Sequence, residues 1–317
     1  MALTARVRSA MSGRLTRTEA AVLLGGKSAD EWKLVAGQAN KVRRTHCGDR
    51  LRVSAVVMLS NRCDRHCTFC PWRAYNRTAI RWRTPDEVAG QAIERSAALG
   101  VDELVLLGGD GDWVDPGAVA RLAEMARQQG LEVALGFGDR SDDDFRLWRR
   151  AGASAYFITP LTTNVAIFDR IHPDRSLDDF ISLMERLREM GYQLTAGPMV
   201  GLPGQTPDDL AGDLEFFRDQ AVATLRVTRF VPATGTPLGS QTPVGSEGTL
   251  STIAVGRLMM PEAHIPATAT WDADSDVDRA EALASGADSA LVVLARGGRL
   301  EADEAEAAVS WLRNAMK

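Results

Sequence analysis

Eight short apolar runs recur along the chain, and longer segments with helical spacing of apolar residues lie between them. The runs have few polar interruptions and many β-branched residues, which is typical of strands buried on both faces. They comprise residues 53–60, 103–107, 132–137, 155–159, 194–200, 224–230, 264–270 and 290–294. Regular alternation of strands and helices predicts an α/β fold with an all-parallel sheet, and eight such strands close into a (β/α)8 TIM barrel. A doubly wound open sheet is the alternative.

The start of the chain has helical patterns only. We predict helices within residues 17–26 and 28–44, and Ser28 is a suitable N-cap for the second. No linker or low-complexity segment divides the remaining sequence. We therefore expect an N-terminal helical extension, residues 1–48, followed by one barrel domain, residues 49–317.

Composition narrows the protein class. Hydrophobic residues make up 45% of the chain and charged residues 25%, which is ordinary for a globular protein able to bury a large core. The net charge is only −5, and the basic residues are taken to be spread along the chain, so a nucleic-acid partner is not expected. Neither an 18-residue apolar stretch nor a signal core is present. We expect no membrane partner, a cytoplasmic location and reduced cysteines.

Three of the four cysteines stand close together, in the spacing C-x3-C-x2-C at Cys63, Cys67 and Cys70. The motif follows the first predicted strand, and such loops form the active-site mouth of a parallel barrel. Its intervening residues are mostly polar, which argues against incidental core cysteines. A structural zinc site would need His66 or Cys47 as a fourth ligand. The remaining interpretation is an iron–sulfur cluster with one iron open to a small molecule.

The cysteine motif, with Phe69 before its last cysteine, resembles the signature of radical S-adenosylmethionine (SAM) enzymes. The similarity covers roughly residues 20–295 and points to the subgroup of methylornithine synthases, HydE-type [FeFe]-hydrogenase maturases and biotin synthases. It implies that the three cysteines hold a [4Fe–4S] cluster whose fourth iron binds SAM. It also implies a 5′-deoxyadenosyl radical that abstracts hydrogen from the substrate, and an external electron donor of the flavodoxin or ferredoxin type.

By the same resemblance, six residues are implied to lie near SAM: Phe69, Gly108, Gly109, Asp110, Gly197 and Met199. Glycines let a ligand approach the backbone, and the Asp110 carboxylate can accept hydrogen bonds from an ammonium group. A glycine-rich turn with a solvated aspartate is the alternative for residues 108–110, and a tight turn of small residues is the alternative for residues 197–201.

Residues at the ends of strands are expected to form the substrate pocket. The candidates are Arg226, Thr268, Thr270, Asp272 and Ser60. Arg226 lies within a predicted strand, where a charge needs a partner, and resemblance to methylornithine synthases implies that it binds an amino-acid carboxylate. The alternative is an outward residue paired with a helix. Arg229 is expected to point to the opposite face.

Three positions depart from the family pattern. Leu161 or Thr162 stands where relatives have an acidic residue. Phe180 stands where they often have an arginine for the SAM carboxylate, and Thr270 where methylornithine synthases have an aspartate for a side-chain amine. These differences favour a neutral or acidic amino acid over lysine as the substrate.

We therefore predict a radical SAM enzyme that acts on a small free amino acid, in a carbon-skeleton rearrangement of the methylornithine synthase type. The alternatives are a HydE-like maturase or carbon–carbon lyase and, from another class, a non-catalytic metal-binding scaffold. Sulfur insertion is disfavoured because Cys47 has no partners for a second cluster. His46, His172 and His264 are assigned no role.

Overall fold

A computed structural model describes residues 15–267 and 276–315. The strands in these ranges are β1 (Arg52–Ser60), β2 (Glu103–Gly108), β3 (Glu132–Gly136), β4 (Ala155–Phe157), β5 (Gln193–Ala196), β6 (Met199–Val200), β7 (Thr224–Leu225), β8 (Thr228–Arg229), β9 (Ser289–Arg296) and β10 (Arg299–Leu300). The helices are α1 (Arg17–Leu24), α2 (Ala29–Cys47), α3 (Asp86–Ala98), α4 (Pro116–Gln128), α5 (Asp142–Arg150), α6 (Val165–Ile171), α7 (Leu177–Glu189), α8 (Pro207–Asp219), α9 (Glu247–Met259), α10 (Asp276–Ala284) and α11 (Ala302–Ala315).

The main sheet curls into a ring. Its order is β10-β9-β1-β2-β3-β4-β5-β7, and all neighbours are parallel except β9 and β10. Residues 264–266 join its two sides, because His264 forms a parallel bridge with Thr224, and Pro266 forms one with Ser289. This closure confirms the predicted (β/α)8 barrel.

The closing segment is fastened at the amino-terminal end of the barrel by Arg257, a fully buried residue of α9. Its guanidinium donates to the Asp288 carboxylate at 2.7 Å and to the carbonyl of Ala263 at 2.7 Å. The same group lies 3.2 Å from the sulfur of Cys47 at the end of α2. The fourth cysteine therefore belongs to the end of the barrel opposite to the carboxyl ends of the strands.

The barrel strands lie between two apolar layers, which explains why their sequences are continuously apolar. Along β1, Val57 and Leu59 pack outward in the core beneath the helices, whereas Val56 and Met58 pack in a second cluster inside the barrel. Both faces of the strand are thus removed from water, as expected for a parallel barrel strand.

The later strands are shorter than the sequence predicts. The run at 194–200 divides into β5 and β6, and the run at 224–230 divides into β7 and β8. Gly197 lies at the first break, where an added Cβ would come within 2.3 Å of the Arg226 carbonyl oxygen. The two chain segments therefore approach more closely there than regular strands allow. Of the predicted run 264–270, residues 268–270 lie outside the described ranges.

Both predicted N-terminal helices are present as α1 and α2, which pack against α8 and α9. Ser28 is the N-cap of α2, as predicted, and its hydroxyl accepts a hydrogen bond from the backbone of Glu31. The domain boundary at residue 48 stays a prediction. In the described ranges, every helix is too short or too polar to cross a lipid bilayer.

Candidate active site

A cavity of about 650 Å³ opens at the carboxyl ends of the barrel strands. Most of the predicted site residues line it, namely Cys63, Cys67, Phe69, Cys70, Gly108, Gly109, Asp110, Met199 and Arg226. Thr268, Thr270 and Asp272 lie outside the described residues. The fold therefore brings the cysteine motif and Arg226 to one cavity, although more than 150 residues separate them in sequence.

The cysteine loop is held by two arginines that bind backbone carbonyls. Arg81 donates to the carbonyls of Asn61 and Trp72, at 2.9 and 2.8 Å, and to that of Arg73 at 2.6 Å. Arg73 donates to the carbonyl of Cys67 at 3.2 Å. These bonds fix the loop on both sides of Cys70.

The three thiols resist ionisation in the protein alone. Burial raises the pKa of Cys70 to about 11 and raises that of Cys67 still further, where repulsion from the neighbouring thiolates adds to the effect. Burial also raises the pKa of Cys63. A bound cation favours thiolates, so this donor set fits a metal centre better than an empty pocket.

The thiols do not surround one point. Within residues 15–267 and 276–315, no three His, Cys, Asp or Glu side chains converge as the ligands of a single metal ion would. A multinuclear cluster binds each thiolate at a different iron, so it does not require the three thiols to converge on one point. The cysteines could hold such a group.

The glycines of residues 108–109 have a packing role against this loop. A Cβ on Gly109 would lie 2.0 Å from the Arg62 carbonyl oxygen, and one on Gly108 would lie 2.8 Å from the Phe137 ring. The backbone of Asp64 donates to the Asp110 carbonyl at 2.9 Å. Only glycine allows the cysteine loop to lie this close to the end of β2.

The Asp110 carboxylate is nearly buried and already has cationic partners. The Nε atom of Arg65 donates to it at 2.8 Å, and Nη1 of Arg175 does so at 3.3 Å. The alternative of a solvated aspartate is therefore wrong. The predicted contact with an ammonium group stays a prediction, and such a group would share the carboxylate with two guanidinium groups.

Arg175 was missed from sequence. Its guanidinium stacks 4.5 Å from the centre of the Phe180 ring and pairs with Asp139 at 3.2 Å. Both Arg175 and Phe180 line the cavity. Phe180 replaces the expected arginine, but an arginine reaches the same wall from the residue before the N-cap of α7. Nothing in the local sequence indicates that Arg175 would take the place of the arginine expected at position 180.

His172 is a second residue without a predicted role. Its Nδ1 atom lies 3.4 Å from the sulfur of Cys67, and the rings of Phe168 and Phe180 pack against it. Burial lowers its pKa to about 4, so the ring is neutral near pH 7. A thiolate has no hydrogen to donate, so a contact with ionised Cys67 requires the hydrogen on Nδ1.

Met199 and Phe69 lie together on the cavity wall. Both pack against an apolar cluster that includes Leu161 and Phe230. The backbone of Met199 donates to the Leu161 carbonyl at 2.8 Å. Gly197 does not line the cavity, and its lack of a side chain is explained by the approach of Arg226.

Arg226 is nearly buried, and its guanidinium lies 5.5 Å from the centre of the Phe157 ring. The alternative of an outward, helix-paired residue is wrong, because the side chain lines the cavity. Arg229 lines the same cavity, so its predicted orientation was also wrong. The strand is interrupted between Leu225 and Thr228, and the alternation of faces does not continue across the break.

Ser60 is fully buried and does not line the cavity. Its hydroxyl donates to the Trp82 carbonyl at 3.2 Å and accepts from the backbone of Arg62 at 3.1 Å. It fastens the start of the cysteine loop, and its predicted contact with substrate stays a prediction. Thr162 is also buried, and its hydroxyl donates to Asp213 at 3.2 Å.

The chain is similar in sequence to known proteins. The protein is 31% identical to the [FeFe] hydrogenase maturase subunit HydE of Thermotoga maritima over 231 residues, 73% of this chain and 66% of that protein. It is 25% identical to the biotin synthase of Ectopseudomonas mendocina, over 80% of this chain and 73% of that protein.

Solved structures show the same fold. Methylornithine synthase (PylB) superposes with a TM-score of 0.85, at 22% identity, over 93% of this chain and 88% of that one. The maturase HydG superposes with a TM-score of 0.81, at 17% identity, over 96% of this chain and 70% of that one.

The family assignment rests on the profile of the Radical SAM superfamily, which matches residues 57–217, just over half of the chain. The matched region begins in β1 and includes the three-cysteine loop, the Gly108–Gly109 turn and the strands up to β6. Members of this superfamily use a [4Fe–4S] cluster and SAM, and the predicted cofactors are thereby confirmed. The protein belongs to the radical SAM superfamily.

Proposed function

We propose that the protein is a radical SAM enzyme that abstracts hydrogen from a small free amino acid, with Cys63, Cys67 and Cys70 as the cluster ligands. The proposal is carried by one observation, which is that the three thiols and Arg226 face a common cavity. When bound, the cluster and SAM would supply a 5′-deoxyadenosyl radical as the hydrogen acceptor.

The residues of the cavity would bind and shield the substrate. The guanidinium of Arg226 can bind a carboxylate through two hydrogen bonds, which fixes the Cα atom. Trp72, Trp82 and Phe157 cover the adjoining wall with aromatic surface and exclude water from it.

The reaction that we favour is a carbon-skeleton rearrangement. The fold shared with methylornithine synthase over most of both chains and the arginine in the cavity support it. The alternative is a HydE-like maturase or lyase reaction, which the sequence identity with HydE supports.

A substrate screen tests the proposed function. Anaerobically reconstituted protein with dithionite and SAM should release 5′-deoxyadenosine, and the correct amino acid should stimulate the release. Deuterium from that amino acid should appear in the 5′-deoxyadenosine and identify the carbon attacked. Absence of SAM cleavage under any condition, in protein with a full cluster, would favour the non-catalytic scaffold instead.

Replacement of His172 by phenylalanine should make the cluster harder to reduce. A hydrogen bond to a ligand sulfur stabilises the more negative, reduced form of a cluster, so its loss lowers the reduction potential. The midpoint potential is measured by a redox titration followed by electron paramagnetic resonance. His46→Phe is the control, since this side chain lies on α2 before the barrel. An unchanged potential in His172→Phe would contradict the proposed contact.

A further inference from the structure

The loop that follows the cysteines presents apolar and basic side chains to solvent. In this segment, residues 71–83, Tyr75 is 69% exposed and Ile80 is 85% exposed, and Arg77 is exposed beside them. We name Tyr75, Arg77 and Ile80 the outer loop surface. Two large apolar side chains exposed on one short loop make that loop a candidate interaction site.

The outer loop surface is carried by an ordered segment. Besides the bonds made by Arg81, the buried Asn76 donates to the carbonyls of Pro71 and Thr234, at 3.0 and 3.1 Å. Its own side-chain oxygen accepts from the backbone of Thr78 at 3.0 Å. A surface held in this way needs little ordering when a partner binds.

The segment that carries this surface has an excess of positive charge. Residues 62–83 contain six arginines and one aspartate, a net charge of +5 in a chain whose total is −5. Two of the six arginines are paired outside the segment, Arg65 with Asp110 and Arg83 with Asp86. The expectation that basic residues are spread along the chain was therefore wrong for this segment. In the part of the chain that the structure describes, Arg73 and Arg81 bind backbone carbonyls and have no carboxylate partner. Their charge is therefore not cancelled locally, which favours an acidic partner.

The same surface is in contact with the cysteine motif. The ring of Tyr75 packs 4.8 Å from that of His66, which lies between Cys63 and Cys67 in sequence. The backbone of Ala74 donates to the Arg65 carbonyl at 2.8 Å. A protein bound at Tyr75 would therefore sit against the segment that carries the proposed cluster ligands, on its solvent side.

We infer that the outer loop surface is the docking site for a small acidic protein that carries single electrons, of the flavodoxin type. This inference rests on the proposed function, which requires an electron from outside the cavity. The flavodoxin hydroquinone anion would lose one electron and become the neutral semiquinone, and the cluster would take up that electron. Exposed tyrosine, arginine and isoleucine side chains beside a positive field suit a transient interface with an acidic partner.

The test compares two reductants by anaerobic stopped flow. Reconstituted enzyme is mixed with the hydroquinone form of a bacterial flavodoxin or with dithionite, and cluster bleaching is followed. Arg77→Glu should slow reduction by flavodoxin about tenfold at low salt, because it reverses a charge in the steering field. Ile80→Ser should slow it at all salt concentrations. Reduction by dithionite, which needs no docking surface, should be unchanged in both variants.

Arg121→Glu is the matched control, because this arginine is exposed on α4 and the substitution changes the net charge equally. Equal rates with flavodoxin in the wild type and both loop variants would overturn the inference. A slower rate with dithionite as well would also overturn it, since the effect would then lie in the cluster itself. A dimer lost in Arg77→Glu, with unchanged rates, would assign the surface to self-association instead.

The result of the docking test can be distinguished from a failure of the proposed function. Cluster reduction is read without SAM or substrate, so the docking result holds even where no amino acid stimulates 5′-deoxyadenosine release. Conversely, SAM cleavage driven by dithionite can succeed in a protein whose loop variants behave as the wild type.

Discussion

Replacement of Cys67 by alanine should abolish cluster assembly and lower 5′-deoxyadenosine formation at least about a thousandfold, to the level of a blank. Only two thiols would then remain, so two of the four irons would lack a protein ligand and the cluster would not be held. Burial raises the pKa of the Cys67 thiol, so a bound metal is needed to hold this side chain as the thiolate near neutral pH. Iron and sulfide analysis, visible absorption and chromatography of the SAM products measure the effect.

Cys47→Ala is the matched control for this experiment. Its sulfur lies beside Arg257 at the amino-terminal end of the barrel, away from the cavity. This variant should keep a full cluster and the wild-type rate. Loss of the cluster in Cys47→Ala, or zinc in place of iron in protein purified without oxygen, would refute the assignment of three ligands and one open iron.

Replacement of Arg226 by methionine should raise the KM for the amino-acid substrate about a hundredfold. Removal of one partner from a buried, hydrogen-bonded charge pair is expected to have an effect of this size. SAM cleavage without substrate should persist, because Arg226 lies beside Phe157 at the end of β4, whereas the cysteine loop follows β1. Steady-state kinetics with the substrate found in the screen, together with the uncoupled rate, separate the two effects.

The Arg226→Lys variant tests how the carboxylate is bound. Lysine keeps the charge and loses the planar fork, so an intermediate KM indicates a carboxylate held by two hydrogen bonds. A KM equal to that of the wild type in Arg226→Met would show that the carboxylate binds elsewhere. Uncoupled SAM cleavage reduced as strongly as the coupled reaction would show that Arg226 acts on SAM binding.

The local sequence pattern was sufficient to predict those parts of the molecule that depend on residues close together in the chain. The runs at 53–60 and 103–107 became β1 and β2 with nearly the predicted bounds, because both faces of these strands are buried. The cysteine motif could be interpreted for the same reason, since its spacing and its position after β1 lie within one short segment.

The missed residues depend on contacts that only the fold creates. His172 is 105 positions from Cys67 in sequence, and Arg175 meets Asp110 across 65 positions. No spacing rule connects such pairs. Arg229 was misplaced for another reason, because the alternation of side chains was extended through a strand that is in fact interrupted.

The short strands near Arg226 have a consequence for the history of this fold. β7 and β8 contain two residues each, whereas β1, which leads into the cysteine motif, contains nine. Amino-acid changes on the wall of Arg226 therefore disturb few backbone hydrogen bonds between strands, whereas changes near β1 disturb many. Gene duplicates of such a barrel can acquire new substrates by altering one side while the radical-generating side is inherited intact.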